Sequence, residues 1–121
     1  CPAVNMYEVL TRAIMASEEL ETLRKGRDVQ VGFDRKILVS PQFLEELREK
    51  DIQNWDYLDF AEDILILHGT EDEIVPFEAA REFCEEQLIE FVPVEGADHR
   101  FRSQKAMDEA IKRILDFIQS P

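Results

Sequence analysis

The stretch 63-DILILHGTEDEIVP-76 decides how this chain is read. Ile64 to Leu67 are apolar in succession instead of alternating, the pattern of a strand covered on both faces, as in a parallel sheet. Gly69 ends that strand. Pro76 then opens a helix through about Gln87, with Phe77, Ala80, Phe83 and Cys84 on one face. "LIEFVPV" (88–94) follows as a second, shorter strand, and Pro93 suits a strand end or a sheet edge. After "EGADHRF" (95–101), Ser103 caps a final helix whose stripe is Ala106, Met107, Ala110, Ile111, Ile114, Leu115 and Ile118. The C-terminal half therefore reads strand, helix, strand, helix, an α/β arrangement.

Towards the N-terminus the pattern changes. From Val4 to about Leu23, the residues Val9, Leu10, Ala13, Ile14, Leu20 and Leu23 recur at helical spacing, in one helix or two. "DVQVGFDRKILVS" (28–40) alternates loosely, with Gly32 and Asp34 offering a turn between short extended pieces. Ser40 and Pro41 form a good helix start for "QFLEELREK". "DIQNWDYLDF" (51–60) is turn-like, with interleaved aromatics. The chain thus divides into a mostly helical segment, residues 1–62, and an α/β unit, residues 63–121.

Its 121 residues suit one modest core. The charge is −13, from 27 acidic and 14 basic residues spread through every segment, which makes nucleic acid and anionic membrane poor partners. No apolar run approaches the ~20 residues of a membrane span. Cys1 and Cys84 have no metal-ligand spacing and no signal peptide is visible, so a reduced, cytoplasmic setting is expected. "CPAVN" at the start reads like the end of something already under way, so a fragment is expected.

Chemistry enters through the two loops. Parallel strands joined by a helix place their C-terminal loops on one edge of the sheet, the edge where open α/β sheets bind ligands. Asp72 follows the first strand and His99 the second, so the two can meet. A histidine can take a proton from a hydroxyl and return it to a leaving group, while a carboxylate holds one tautomer and stabilises the imidazolium. Blander readings stand beside this one. Asp72 between Glu71 and Glu73 could be a turn residue, His99 an ordinary loop histidine, His68 a strand-end residue that shapes the loop, and Asp98 a solvated carboxylate or a substitute acid. Trp55, Tyr57 and Phe60 more often anchor a loop on a core than stack on a ligand. His68, Asp72 and His99 match no zinc signature, and no metal or cofactor is expected.

Residues 63 to 119 resemble the C-terminal part of an α/β-hydrolase fold serine hydrolase. "HGTEDEIVP" is similar to that family's HGxxDxxVP loop, which implies Asp72 as catalytic acid, and "EGADHRF" to its catalytic-histidine loop, which implies His99. More loosely, residues 1 to 62 resemble the "PA" after the family's sixth strand and the helical cap before its seventh, as in small bacterial carboxylesterases, feruloyl-esterase-like ones among them. The resemblance implies a serine carboxylic-ester hydrolase acting on a small-molecule ester.

The family's nucleophile sits in G-x-S-x-G, yet none of Ser17, Ser40, Ser103 and Ser120 has a glycine two residues away on either side. The oxyanion-hole loop is missing too. The expectation is therefore the cap and C-terminal α/β portion of an esterase, inactive alone. The competing reading is a non-catalytic relic or interaction module. A third keeps the enzyme as a peptidase, thioesterase or dehalogenase of the same fold. Two apolar parallel strands also leave a sheet edge that invites homodimerisation.

Overall fold

The computed structural model describes residues 1–32 and 34–120, with the side chain of Ala13 left out of the description. The chain divides into two compact units, Asn5–Trp55 and a second made of Cys1–Val4 with the residues from Asp56 on. The division falls between Trp55 and Asp56, whereas the sequence suggests one at 62/63.

In the unit Asn5–Trp55, the anticipated first helix is broken. α1 (Met6–Glu8) runs into a π-helical turn at Val9–Ile14, closed by the Met15 N–H donating to the Leu10 carbonyl at 2.9 Å. Leu10 and Met15 are both buried although five residues apart. An α-helix would turn them roughly 140° away from each other, and the wider turn brings both inward. Ala13 of the anticipated stripe has a side chain outside the described residues. α2 (Ser17–Arg24) starts after an extended Ala16, whose N–H donates to Glu19 Oε1 at 2.8 Å, the returning half of a capping box.

β1 (Val29–Val31) and β2 (Ile37–Val39) form an antiparallel pair with Val29 opposite Val39 and Val31 opposite Ile37. Gly32, at φ +122°, turns the chain, and a Cβ there would lie 2.5 Å from the Arg35 carbonyl oxygen. α3 (Pro41–Glu49) begins as its sequence suggests, with Ser40 Oγ accepting from the Phe43 N–H at 3.0 Å. Leu10, Met15, Leu23, Val31 and Val39 are the buried centre.

In the second unit, β3 (Leu65–Gly69), α4 (Phe77–Gln87), β4 (Glu90–Val94) and α5 (Gln104–Gln119) follow the anticipated order. β3 and β4 are parallel, with Leu65 opposite Glu90 and Gly69 opposite Val94. Alternate side chains serve two clusters. Ile64 and Ile66 pack with Val4, Ala61, Phe83, Cys84 and Ile89, while Leu67 packs with Val94, Ala97 and Ala106. Cys84 is buried as anticipated, and that burial pushes its thiol up to about 11.

Three expectations are corrected. Leu65, Ile66 and Leu67 are half-buried instead of fully covered, because two strands with a helix on each cluster cannot close around them. Of the α5 stripe, only Ala106 and Ala110 are buried, and Ile111, Leu115 and Ile118 are 48, 50 and 70% exposed. Of the three aromatics, Tyr57 does anchor its segment, its ring 5.6 Å from that of Phe83 in an edge-on contact, whereas Trp55 and Phe60 are exposed. Among the described residues, no helix is long and apolar enough to cross a membrane.

Candidate active site

The loops after β3 and β4 are stitched together by backbone. The Thr70 N–H donates to the Val94 carbonyl at 3.1 Å, the Glu71 N–H to the Ala97 carbonyl at 3.0 Å, and the Gly96 N–H to Thr70 Oγ1 at 2.9 Å. Gly69 permits this approach, since a Cβ on it would lie 2.2 Å from the Ala97 carbonyl oxygen, well inside any real contact. The strand-ending glycine therefore serves contact between the two loops.

That stitching brings Asp72 and His99 together. Asp72 Oδ2 lies 2.9 Å from His99 Nδ1, while Oδ1 accepts from the Ile74 and Val75 N–H groups, each at 2.9 Å. The Asp72 side chain is fully buried and that of His99 is 29% exposed. Burial would push the Asp72 carboxyl up, but the Val75 amide, His99 and the Ile74 amide together outweigh it and hold the group below its ordinary value. An ionised Asp72 accepts only, so His99 Nδ1 carries the proton and Nε2 is the basic nitrogen. No hydrogen bond to Nε2 is present among the described residues.

His68 joins the same carboxylate. Its Nε2 is 3.3 Å from Asp72 Oδ2 and 3.0 Å from the Val75 carbonyl oxygen, and its ring meets Phe77 edge-on at 5.9 Å. It is wholly buried, and burial holds its pKa below that of an ordinary imidazole. As anticipated, it lies at the strand end, next to Gly69, and shapes the loop through its contact with Val75. Its proximity to Asp72 was legible only as a four-residue spacing across a glycine, and the HGxxDxxVP likeness marked Val75 without showing that its N–H serves Asp72 and its carbonyl faces His68.

Asp98 is engaged elsewhere. It accepts from Arg102, through the backbone N–H at 3.0 Å and Nε at 2.5 Å, so it is not the acid facing His99. Cys1 Sγ accepts from the Gly69 N–H at 3.3 Å. Cys1, His68 and Asp72 bring one potential ligand atom each within 4.8 Å of one another. Both carboxylate oxygens are already engaged by the two amides and His99, so a metal held by Asp72 would compete with those bonds. Surface depressions lined by Glu90, Val92, Arg113 and Phe117 and by Ala61, Asp63, Leu88 and Ile118 lie about the start of β4, the opposite end of the strand from these loops.

No protein-family model matches the sequence, and no curated protein matches it either. Solved structures do. Est1E from Butyrivibrio proteoclasticus with ferulic acid bound is 19% identical, with a TM-score of 0.55 over 98% of this chain and 57% of that one. Another structure of Est1E is 20% identical, with a TM-score of 0.51 over 98% of this chain and 58% of that one. The chain thus spans a little over half the length of the structures it matches. At such identity the likeness speaks for the fold, and the fold of this chain is part of an α/β-hydrolase fold, with a small parallel sheet and a helical segment before it.

Proposed function

We propose that this chain is the C-terminal portion of a serine esterase or related acyl hydrolase, contributing the acid Asp72 and the base His99 to a triad whose serine lies outside residues 1–121. The observation that carries the reading is the orientation of His99, with Nδ1 bonded to a buried carboxylate that two amides fix from the other side. Nε2 then takes the proton of the attacking serine hydroxyl as the ester carbonyl becomes tetrahedral, and returns it to the departing alkoxide. Water repeats the cycle on the acyl-enzyme. Asp72 keeps the proton on Nδ1 and stabilises the imidazolium that forms in each half.

The substrate is a small-molecule ester, and the part of residues 1–62 that forms the separate unit Asn5–Trp55 is the cap segment. No cofactor takes part. Two free cysteines, one of them buried, accord with a cytoplasmic setting. The 121-residue chain alone is inactive, because it lacks the nucleophile and the oxyanion hole that supplies the main electrostatic stabilisation. Peptidase, thioesterase and dehalogenase chemistry occur on the same fold, and the residue in the nucleophile's place separates them.

The test is intact-mass spectrometry of the natural gene product, purified from its own cells, before and after a fluorophosphonate. A chain about twice this length that gains one adduct on serine supports the reading. A chain of 14.1 kDa that gains nothing removes it and leaves the relic or interaction module, which the exposed α5 face favours. Ester turnover by the pure 121-residue chain, abolished by His99→Ala, would overturn the inactivity.

A further inference from the structure

We propose that His68 is the positioning residue of this site: a buried imidazole that holds the 70–76 loop closed and keeps Asp72 aimed at His99. The inference rests on the triad reading above. A carbonyl oxygen only accepts, so the 3.0 Å contact with Val75 puts the proton on His68 Nε2. That same N–H lies 3.3 Å from Asp72 Oδ2 and is shared between the two acceptors. Val75 closes the ring of contacts, because its own N–H holds Asp72 Oδ1. Loop, carboxylate and imidazole thus fix one another, and Oδ2 keeps one direction for His99.

Neutrality is part of the device. Among the described residues, His68 Nδ1 is buried without a partner, so a second proton there would find no acceptor. A charged His68 would also compete with His99 for the single negative charge of Asp72. The two imidazoles differ in the way this requires, since His68 is wholly buried and His99 is 29% exposed. The Phe77 ring packs on the imidazole of His68 at 5.9 Å in a T-shaped contact.

The experiment is long-range 1H–15N imidazole NMR of the 121-residue chain. In the wild type, His68 should show the Nε2–H tautomer alone and His99 a slowly exchanging Nδ1–H. His68→Phe, which keeps a ring but no N–H, should lose the His99 Nδ1–H signal and give a mixture of His99 tautomers, while the amide spectrum of β4 and α5 is retained. His68→Gln, whose amide nitrogen can occupy the place of Nε2, should restore the signal. A His99 Nδ1–H unchanged in His68→Phe overturns the proposal and leaves the triad reading standing. A wild-type His68 carrying its proton on Nδ1 overturns it without any variant, which covers the case in which His68→Phe does not fold. A wild-type His99 with a bare Nδ1 removes the Asp72–His99 pair itself, and with it the reading on which the proposal depends.

Discussion

At the C-terminal end of the sheet, Asp72 receives two amides on one oxygen and two imidazoles around the other, and His99 keeps 29% of its surface. Along the outer face of α5, Ile111, Ile114, Leu115 and Ile118 stand 41 to 70% exposed on a helix that buries only Ala106 and Ala110. Both oxygens of the Asp72 carboxylate find their partners within the chain. The apolar face of α5 does not, and the cost can be sized: at about 2 kcal/mol for each fully buried side chain, four half-exposed ones leave roughly 4 kcal/mol of burial unused. Polar geometry at the strand ends is set by neighbours within thirty residues of chain. Apolar cover needs more surface than two strands and their helices supply.

The largest effect is expected at the Asp72 carboxylate. In the longer esterase proposed above, Asp72→Asn should lower kcat by about 10⁴-fold while the fold persists, since the amide favours the wrong tautomer of His99. Steady-state kinetics on an aryl ester read this, and a loss under tenfold would mean that Asp72 does not orient the base. Next comes the contact beneath the pair. Gly69→Ala would force the Ala97 backbone away and should cost at least about 2 kcal/mol in urea unfolding, and wild-type stability would contradict the close approach of the two loops.

The pH dependence is smaller and has a definite sign. His68 has a folded pKa below its unfolded value, so the unfolded chain binds a proton that the native chain refuses. Its contribution is present above about pH 6.5 and is lost as pH falls below that value. Asp72 is also depressed, and its contribution is present above the unfolded value of about 3.8 and lost as pH falls through the lower folded one. Each proton adds at most about 1.4 kcal/mol per pH unit to the slope. Denaturant midpoints against pH should therefore fall with acid in two stages, with His68→Gln flattening the upper and Asp72→Asn the lower. A single stage unaffected by His68→Gln would place His68 among groups whose protonation is not linked to folding.

The smallest expected effect on stability tests the other region. Leu115→Lys together with Ile118→Lys should change the unfolding free energy by no more than about 1 kcal/mol per site, because both side chains are at least half exposed. The same pair should abolish any self-association of the 121-residue chain in sedimentation velocity. Self-association that survives the two lysines would shift the contact from α5 to the free edge of the two-stranded sheet.

Periodicity and caps carried much of the fold. Ser40 and Ser103 start helices by bonds within four residues, and the apolar run that opens β3 marks a strand, which pairs parallel with β4. The Asp72–His99 meeting was legible because topology alone puts both loops on one edge. The π-helical turn at Val9–Ile14 was hidden, since it answers to the joint burial of Leu10 and Met15 and not to local preference. Val75 was hidden for a similar reason, because a backbone amide and carbonyl leave no trace in the letter V.

By itself the sequence determined the order of strands and helices, the pairing of an acid loop with a histidine loop, and the absence of a G-x-S-x-G serine from these residues, since each depends on residue type and spacing. Tertiary structure alone decided two other things. It joined His68 to the Asp72 carboxylate and left the α5 stripe open. Those outcomes depend on which atoms a folded backbone brings within about 3 Å, and on how much surface is available to cover them.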